Sequence, residues 1–199
     1  SLVNVLAEHY LQASSQAYDL GCSLCASSLA MSTVAVKRAC RIIAIDSSPS
    51  MIEQAKKNLA ELSLDASIDC VCGDIRQVFI EKASMITMNF TLQFVPPEDR
   101  QAMIKSIYQG LLPNGVLMLS EKIKGETAQS DACLYALHHE FKRANGYTQL
   151  EISQKRSALE EVMITETLSQ HKQRLLLAGF SRVECVFQAL NFVSLLAIK

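Results

Sequence analysis

Apolar residues fall into two patterns along the chain, short continuous runs and runs spaced by three and four. Leu2, Val3, Leu6, Tyr10 and Leu11 have the helical spacing, with nothing ahead of Leu2 to cap the segment. The chain therefore reads as opening inside a helix, with an N-terminal portion absent. Ala17, Tyr18 and Leu20 are strand-compatible and lead to Gly21, after which a helix of small residues runs through Ser28 to Met31. Arg41 to Asp46 is nearly continuous apolar, the pattern of a strand buried on both faces. Pro49 then sits in the first turn of a helix whose inner face is Met51, Ile52, Ala55, Leu59 and Leu62. A third strand covers Ile68 to Cys72 and ends at Gly73-Asp74. A fourth covers Ala83 to Asn89 and runs into Phe90-Thr91-Leu92-Gln93-Phe94. Pro96-Pro97-Glu98-Asp99 opens a helix to about Leu112, and Pro113-Asn114-Gly115 turns it into a fifth strand, Val116 to Ser120. From about Ala128 to Leu177 the spacing is helical, with Leu134, Leu137, His138 and Phe141 on one face and Leu159, Val162 and Met163 on another. Asn145-Gly146-Tyr147 breaks that stretch. Arg182 to Gln188 and Asn191 to Ile198 close the chain as a hairpin. Strand and helix alternating at this interval predict an α/β fold, a doubly wound, mostly parallel seven-stranded sheet with an antiparallel C-terminal hairpin. The expected organisation is a single domain over residues 1–199, with a helical insertion at about 125–178.

Charge and cysteine usage narrow the partners. The net charge is −1, and there is no arginine-rich run, so direct nucleic-acid binding is not expected. The short basic pairs Lys37-Arg38, Lys142-Arg143 and Lys155-Arg156 read as solvated. No apolar run is long enough to span a membrane and no secretory signal is present. Four of the seven cysteines, Cys40, Cys70, Cys72 and Cys185, sit in strand-like runs, where a reduced thiol packs as a small hydrophobe. This suggests a reducing, cytoplasmic setting. Cys22-x-x-Cys25 has the spacing of a redox or metal pair, but no second ligand pair accompanies it, so no metal is expected.

The candidate chemistry lies where strands end. Asp19-x-Gly21 at a strand-to-helix turn is the corner that cradles nucleotides in doubly wound sheets, with Ser23 suited to cap the following helix. The three-glycine fingerprint is incomplete, since its later glycine places hold Ser23 or Cys22, and Cys25; a turn without a ligand is the plain alternative. The other strand ends carry Asp46, Gly73-Asp74 and Asn89. Asp46 follows the glycine turn at the interval from which an acid grips a ribose, and Asp74 is placed to accept from an adenine amino group. Aspartates at both places, with a closing hairpin, resemble a class I S-adenosylmethionine-dependent enzyme, of Rossmann-like methyltransferase fold.

A more specific resemblance rests on longer stretches. They are Tyr18-Asp-Leu-Gly-Cys-Ser23, Ala44-Ile-Asp46, Gly73-Asp-Ile-Arg76, Asn89-Phe-Thr-Leu-Gln-Phe94 and Leu119-Ser-Glu-Lys122, then His138-His139, Phe141-Lys-Arg-Ala-Asn-Gly-Tyr147 and Glu151-Ile-Ser-Gln-Lys-Arg-Ser157. Together they resemble the carboxy-S-adenosyl-L-methionine synthase family. The resemblance implies a homodimeric transferase that converts S-adenosyl-L-methionine and prephenate to carboxy-S-adenosyl-L-methionine and phenylpyruvate. The product serves wobble-uridine (5-oxyacetyluridine) modification of tRNA. It implies that Gly21, Cys22 and Ser23 contact the methionine part, Asp46 and Ser47 the ribose, and Asp74 and Ile75 the adenine. Asn89 would sit beside the methionine end, and Arg156 would pair with the added carboxylate as the residue closest to the chemistry. Three departures stand out: Cys25 where the family has glycine, Val186 for a tryptophan and Val193 for a glycine. The family's N-terminal segment, with its tyrosine near the cofactor, has no counterpart before Ser1. Two alternatives stay open: an ordinary S-adenosylmethionine-dependent methyltransferase acting on a small acid, and a catalytically silent S-adenosylmethionine-binding module.

Overall fold

The computed structural model describes residues 1–62, 64–147 and 162–199. Helix α1 (Leu2–Tyr10) precedes β1 (Gln16–Leu20), α2 (Ala26–Lys37), β2 (Arg41–Asp46), α3 (Pro49–Ala60) and β3 (Ile68–Cys72). There follow β4 (Ala83–Asn89), α4 (Pro97–Gly110), β5 (Leu111–Lys124), α5 (Ala128–Ala144), β6 (Glu166–Thr167), α6 (Leu168–Ala178), β7 (Arg182–Ala189) and β8 (Phe192–Ile198). The strand order is β3-β2-β1-β4-β5-β8-β7. The first five strands are parallel, β8 is antiparallel to β5, and β7 is antiparallel to β8. The doubly wound sheet of seven strands in this order, with its terminal hairpin, is as expected, and the two-residue β6 adds an eighth strand beside β5.

Alternating side chains explain why the sheet is covered on both faces. Tyr18, Leu20, Ile86, Leu117, Leu119 and Leu195 pack on one side with Ile104 and Ile107 of α4 and Leu175 of α6. Ala17, Met85, Val116, Met118 and Leu196 pack on the other with Leu6 of α1 and Met31 and Val34 of α2. A smaller cluster joins Cys22, Cys25 and Ala44 to Ile52 and Ala55 of α3.

Three local expectations are corrected. Pro113-Asn114-Gly115 is not a turn before β5 but an irregularity inside it: Ala83 pairs with Leu111, and the register resumes at Met85 with Val116. The strand also continues past Ser120 to Lys124, because Glu121 and Lys122 pair with Val193 and Phe192 of β8, and Ile123 pairs with Glu166 of β6. Within the stretch read as helical, Val162, Met163 and the two residues of β6 lie outside any helix. Glu166 is held there by Arg100 and Arg174, while Thr167 caps α6 by accepting from the Gln170 amide (3.2 Å). Leu159 lies outside the described residues. No described helix is long and apolar enough to cross a membrane.

Candidate functional site

A cavity of about 670 Å³ opens where the parallel strands end, and it brings together Gly21, Ser23, Asp46, Ser47, Asp74, Ile75 and Asn89. Cys22 is not among its lining residues; it is buried behind the turn, and its amide donates to Ile45 O (2.9 Å). Arg156 lies outside the described residues.

The glycine turn is built by close approach. Gly21 has φ 76°, and a Cβ there would overlap the Thr91 side chain from the opposite wall of the cavity. The amides of Gly21 and Cys22 both donate to Ile45 O (2.8 and 2.9 Å), which fixes the turn against the end of β2. Asp46 then ties two loops to each other: the Ser23 amide donates to its Oδ2 and the Ser48 amide to its Oδ1, both at 2.9 Å. Each oxygen keeps a further lone pair toward the cavity that Asp46 lines.

Two expectations about this corner are corrected. Ser23 does not cap α2. That helix starts at Ala26 from Cys25, whose backbone is left-handed at φ 65°, and the acceptor at its N-terminus is Asp19. The Asp19 carboxylate accepts from the Ser28 amide (3.0 Å), Ser28 Oγ (2.7 Å) and Thr87 Oγ1 (3.0 Å). Burial pushes its carboxyl above the ordinary range, opposed by the bonds from Ser28 and Thr87. Asp19 thus faces the helix rather than the cavity. The left-handed backbone at Cys25 is also the reason a glycine suits that position.

Asp74, at the end of β3, is gripped by a residue that pattern reading left without a role. Arg76 donates from its backbone, Nε and Nη2 to the Asp74 carboxylate (2.9, 3.0 and 2.6 Å) and from Nη1 to Asp99 (2.8 Å). This guanidinium holds the Asp74 carboxyl below its ordinary value. Asn89 closes the row by donating to Ser27 Oγ (2.8 Å).

The wall facing this row is Phe90 to Pro96, and its supports come from β5 and from α4, the helix that follows it. Glu121 on β5, 1% exposed, accepts from the amides of Thr91 (3.1 Å), Leu92 (2.8 Å) and Gln93 (3.2 Å). Burial pushes its carboxyl up to about 7 against the pull of those three bonds. Arg100 on α4 is fully buried and donates to Val95 O (2.8 Å), Gln93 O (3.2 Å) and Ile164 O (2.9 Å), and pairs with Glu166. The signal for Glu121 was an acid inside the apolar run of β5; nothing local marks Arg100. The Phe90 ring meets Phe192 edge-on with centroids 5.9 Å apart. Beyond it a second, mostly apolar cavity of about 720 Å³ contains none of the expected site residues. No cluster of three or more His, Cys, Asp or Glu among the described residues could hold a metal ion.

A close-approach glycine turn, two acids at neighbouring strand ends and an apolar wall can hold a nucleoside. Comparison with known proteins agrees. A family model described as a methyltransferase domain matches residues 17–115, from β1 into the start of β5. The chain is 49% identical to the carboxy-S-adenosyl-L-methionine synthase of Erwinia tasmaniensis, over 100% of this chain and 81% of that protein. It is 52% identical to the protein of the same name from Shewanella oneidensis, over 97% of this chain and 79% of the other. Among solved structures it is similar to the cyclopropane synthase MmaA2 of Mycobacterium tuberculosis, with a TM-score of 0.67 and 15% identity, over 93% of this chain and 62% of that one. A mycolic acid cyclopropane synthase solved with SAH and CTAB gives a TM-score of 0.63 at 15% identity, over 92% and 62%. At that identity these two show the fold alone, which is that of the class I S-adenosylmethionine-dependent methyltransferases.

Proposed function

The chain belongs to the carboxy-S-adenosyl-L-methionine synthase family, and from that premise we propose that it converts S-adenosyl-L-methionine and prephenate to carboxy-S-adenosyl-L-methionine and phenylpyruvate. The product supplies wobble-uridine modification of tRNA, with no direct nucleic-acid contact by this chain, which works as a cytoplasmic homodimer. The observation that carries the reading is that Gly21, Asp46, Asp74 and Asn89 share one cavity at the carboxyl ends of parallel strands.

The residues fit the sulfonium nucleoside. Asp46 accepts from the ribose hydroxyls with the lone pairs its two amide partners leave free, and Ser47 lies beside it. Asp74, kept ionised by Arg76, takes the adenine edge with Ile75 against the ring. The glycine turn and Asn89 hold the methionine end, and Arg156 pairs with the new carboxylate. Prephenate loses carbon dioxide and hydroxide, the methyl of S-adenosylmethionine gives up a proton that the hydroxide takes up as water, and the methyl carbon then bonds to the carbon dioxide. The chain's own task is to hold the two reactants together and keep water out, and Phe90 and Phe94 of the wall serve the second need.

Incubation with S-adenosylmethionine and prephenate, followed by mass spectrometry, tests the reading: carboxy-S-adenosylmethionine and phenylpyruvate should accumulate together. Methyl transfer to a small acid instead, or binding without turnover, would replace it with one of the two alternatives. Arg156→Ala should weaken carboxy-S-adenosylmethionine by ~2–4 kcal/mol and plain S-adenosylmethionine much less, because only the former leaves a desolvated carboxylate unpaired. Equal losses for both ligands would remove Arg156 from the carboxylate site.

A further inference from the structure

We propose that Cys25 and Cys70 form an oxidant-accepting dithiol site, which a peroxide converts to an intramolecular disulfide that alters the neighbouring cavity. Their Sγ atoms lie 3.7 Å apart, one at the start of α2 and the other on β3, the strand at the edge of the sheet. The two residues are distant in sequence and become neighbours in the small cluster that joins the start of α2 to β2 and α3.

Their surroundings differ in a way that divides the chemistry. Cys70 is half-buried on the edge strand, whereas Cys25 is fully buried. Cys25 ends the glycine turn at a helix N-terminus, a position that favours a thiolate, and hydrogen bonds from Cys22 and Cys70 lower its pKa further. Burial and the charge of Cys25 push the Cys70 thiol up to about 11, so its greater exposure and not its acidity makes it the first sulfur a peroxide meets. A peroxide reaches Cys70 first. The sulfur attacks one peroxide oxygen, the O–O bond breaks, and Cys70 sulfenic acid and water result. Cys25 then attacks the sulfenic sulfur as the thiolate, the S–S bond forms, and the hydroxyl leaves as hydroxide, which takes up the proton Cys25 had released to solvent to give a second water. Two thiols lose two hydrogens and two electrons in total, and one hydrogen peroxide is reduced to two waters.

Bond formation must draw the two sulfurs together from 3.7 Å to a disulfide length of about 2.05 Å. The start of α2 is held by two hydrogen bonds from Ser28 to Asp19, whereas among the described strands β3 pairs only with β2, so β3 yields. β3 leads directly to Gly73, whose amide donates to Asp46 O (3.0 Å), and to Asp74 of the cavity. Closing the disulfide therefore shifts the acids of the cavity.

The test treats the reduced chain with hydrogen peroxide, blocks remaining thiols, digests without reductant and maps peptides. A cross-linked pair holding Cys25 and Cys70, short of two hydrogens and split by dithiothreitol, is expected. Affinity for S-adenosylmethionine should fall severalfold on oxidation and return on reduction. Cys70→Ser should lose both effects, as should Cys25→Gly, which suits the left-handed backbone and so keeps the fold. A Cys22–Cys25 or intermolecular cross-link, no cross-link, or a cross-link that leaves affinity unchanged overturns the proposal. The peptide map needs no cofactor binding, so a reduced chain that fails to bind S-adenosylmethionine would count against the proposed reaction and not against the disulfide.

Discussion

The two sides of the cavity are built differently. On the glycine-turn side the polar groups are partly exposed and their partners are near in the fold's plan: Asp46 holds loops at the ends of neighbouring strands, and Arg76 grips Asp74 two residues away. On the facing wall, Phe90 to Pro96 presents apolar side chains such as Phe90 and Phe94, while its amides and carbonyls run to Glu121 and Arg100, both buried. The first side turns its charge toward the cavity. The second spends charge inside the protein, where an unpaired group is far more costly. Substitutions on the wall should therefore cost stability first, and those on the turn side should cost binding first.

The largest expected effect follows from Arg100→Met. It leaves Glu166 without one of its two arginines and strips donors from the Val95, Gln93 and Ile164 carbonyls. Breaking such a buried pair costs about 3–5 kcal/mol. Denaturant unfolding measures it, and a loss within half a kcal/mol of wild type would contradict the distinction drawn between the two walls.

Asp46→Ala should behave in the opposite sense. Removing charge-assisted acceptors is worth ~1.5–3 kcal/mol of cofactor binding, about tenfold to a hundredfold in affinity, with a smaller change in unfolding. Calorimetric titration beside an unfolding curve reads both numbers on one sample. A stability loss larger than the binding loss would place Asp46 among the supports.

Glu121 supplies a pH signature. Its carboxyl is raised from 4.5 to about 7 in the folded chain. Between those values the folded state holds the proton more tightly than the unfolded state, so Glu121 contributes stability at low pH that is lost as pH rises through about 7. Subtracting the unfolding profile of Glu121→Gln from that of wild type isolates this slope; parallel profiles would show that Glu121 titrates as an ordinary acid.

The smallest effect is expected for Arg76→Met, at an exposed pair whose partner is Asp74. The Asp74 carboxyl should return toward its ordinary value, visible as a shifted carbon resonance in an NMR pH titration, while stability barely moves. An unmoved titration would show that the guanidinium does not set the charge of Asp74.

The sequence by itself determined the sheet and the acid row, because both are written in short periods. Buried parallel strands need unbroken apolar runs, as at Ile42 to Ile45, and the polar residues that follow such runs, Asp46, Asp74 and Asn89, line the cavity. Gly21 was legible for the same reason, since a turn this tight excludes side chains. Tertiary structure alone decided which acid is turned into the fold and which lines the cavity. Asp19 and Asp46 both end strands, yet only packing shows Asp19 turned into α2 and Asp46 turned to the cavity. It also decided the supports of the wall, because Glu121 and Arg100 act on residues about thirty and about six positions away through bonds that no local periodicity encodes. The Cys25–Cys70 contact belongs with them: a thiol in a strand reads as a small hydrophobe until a helix end is laid across it.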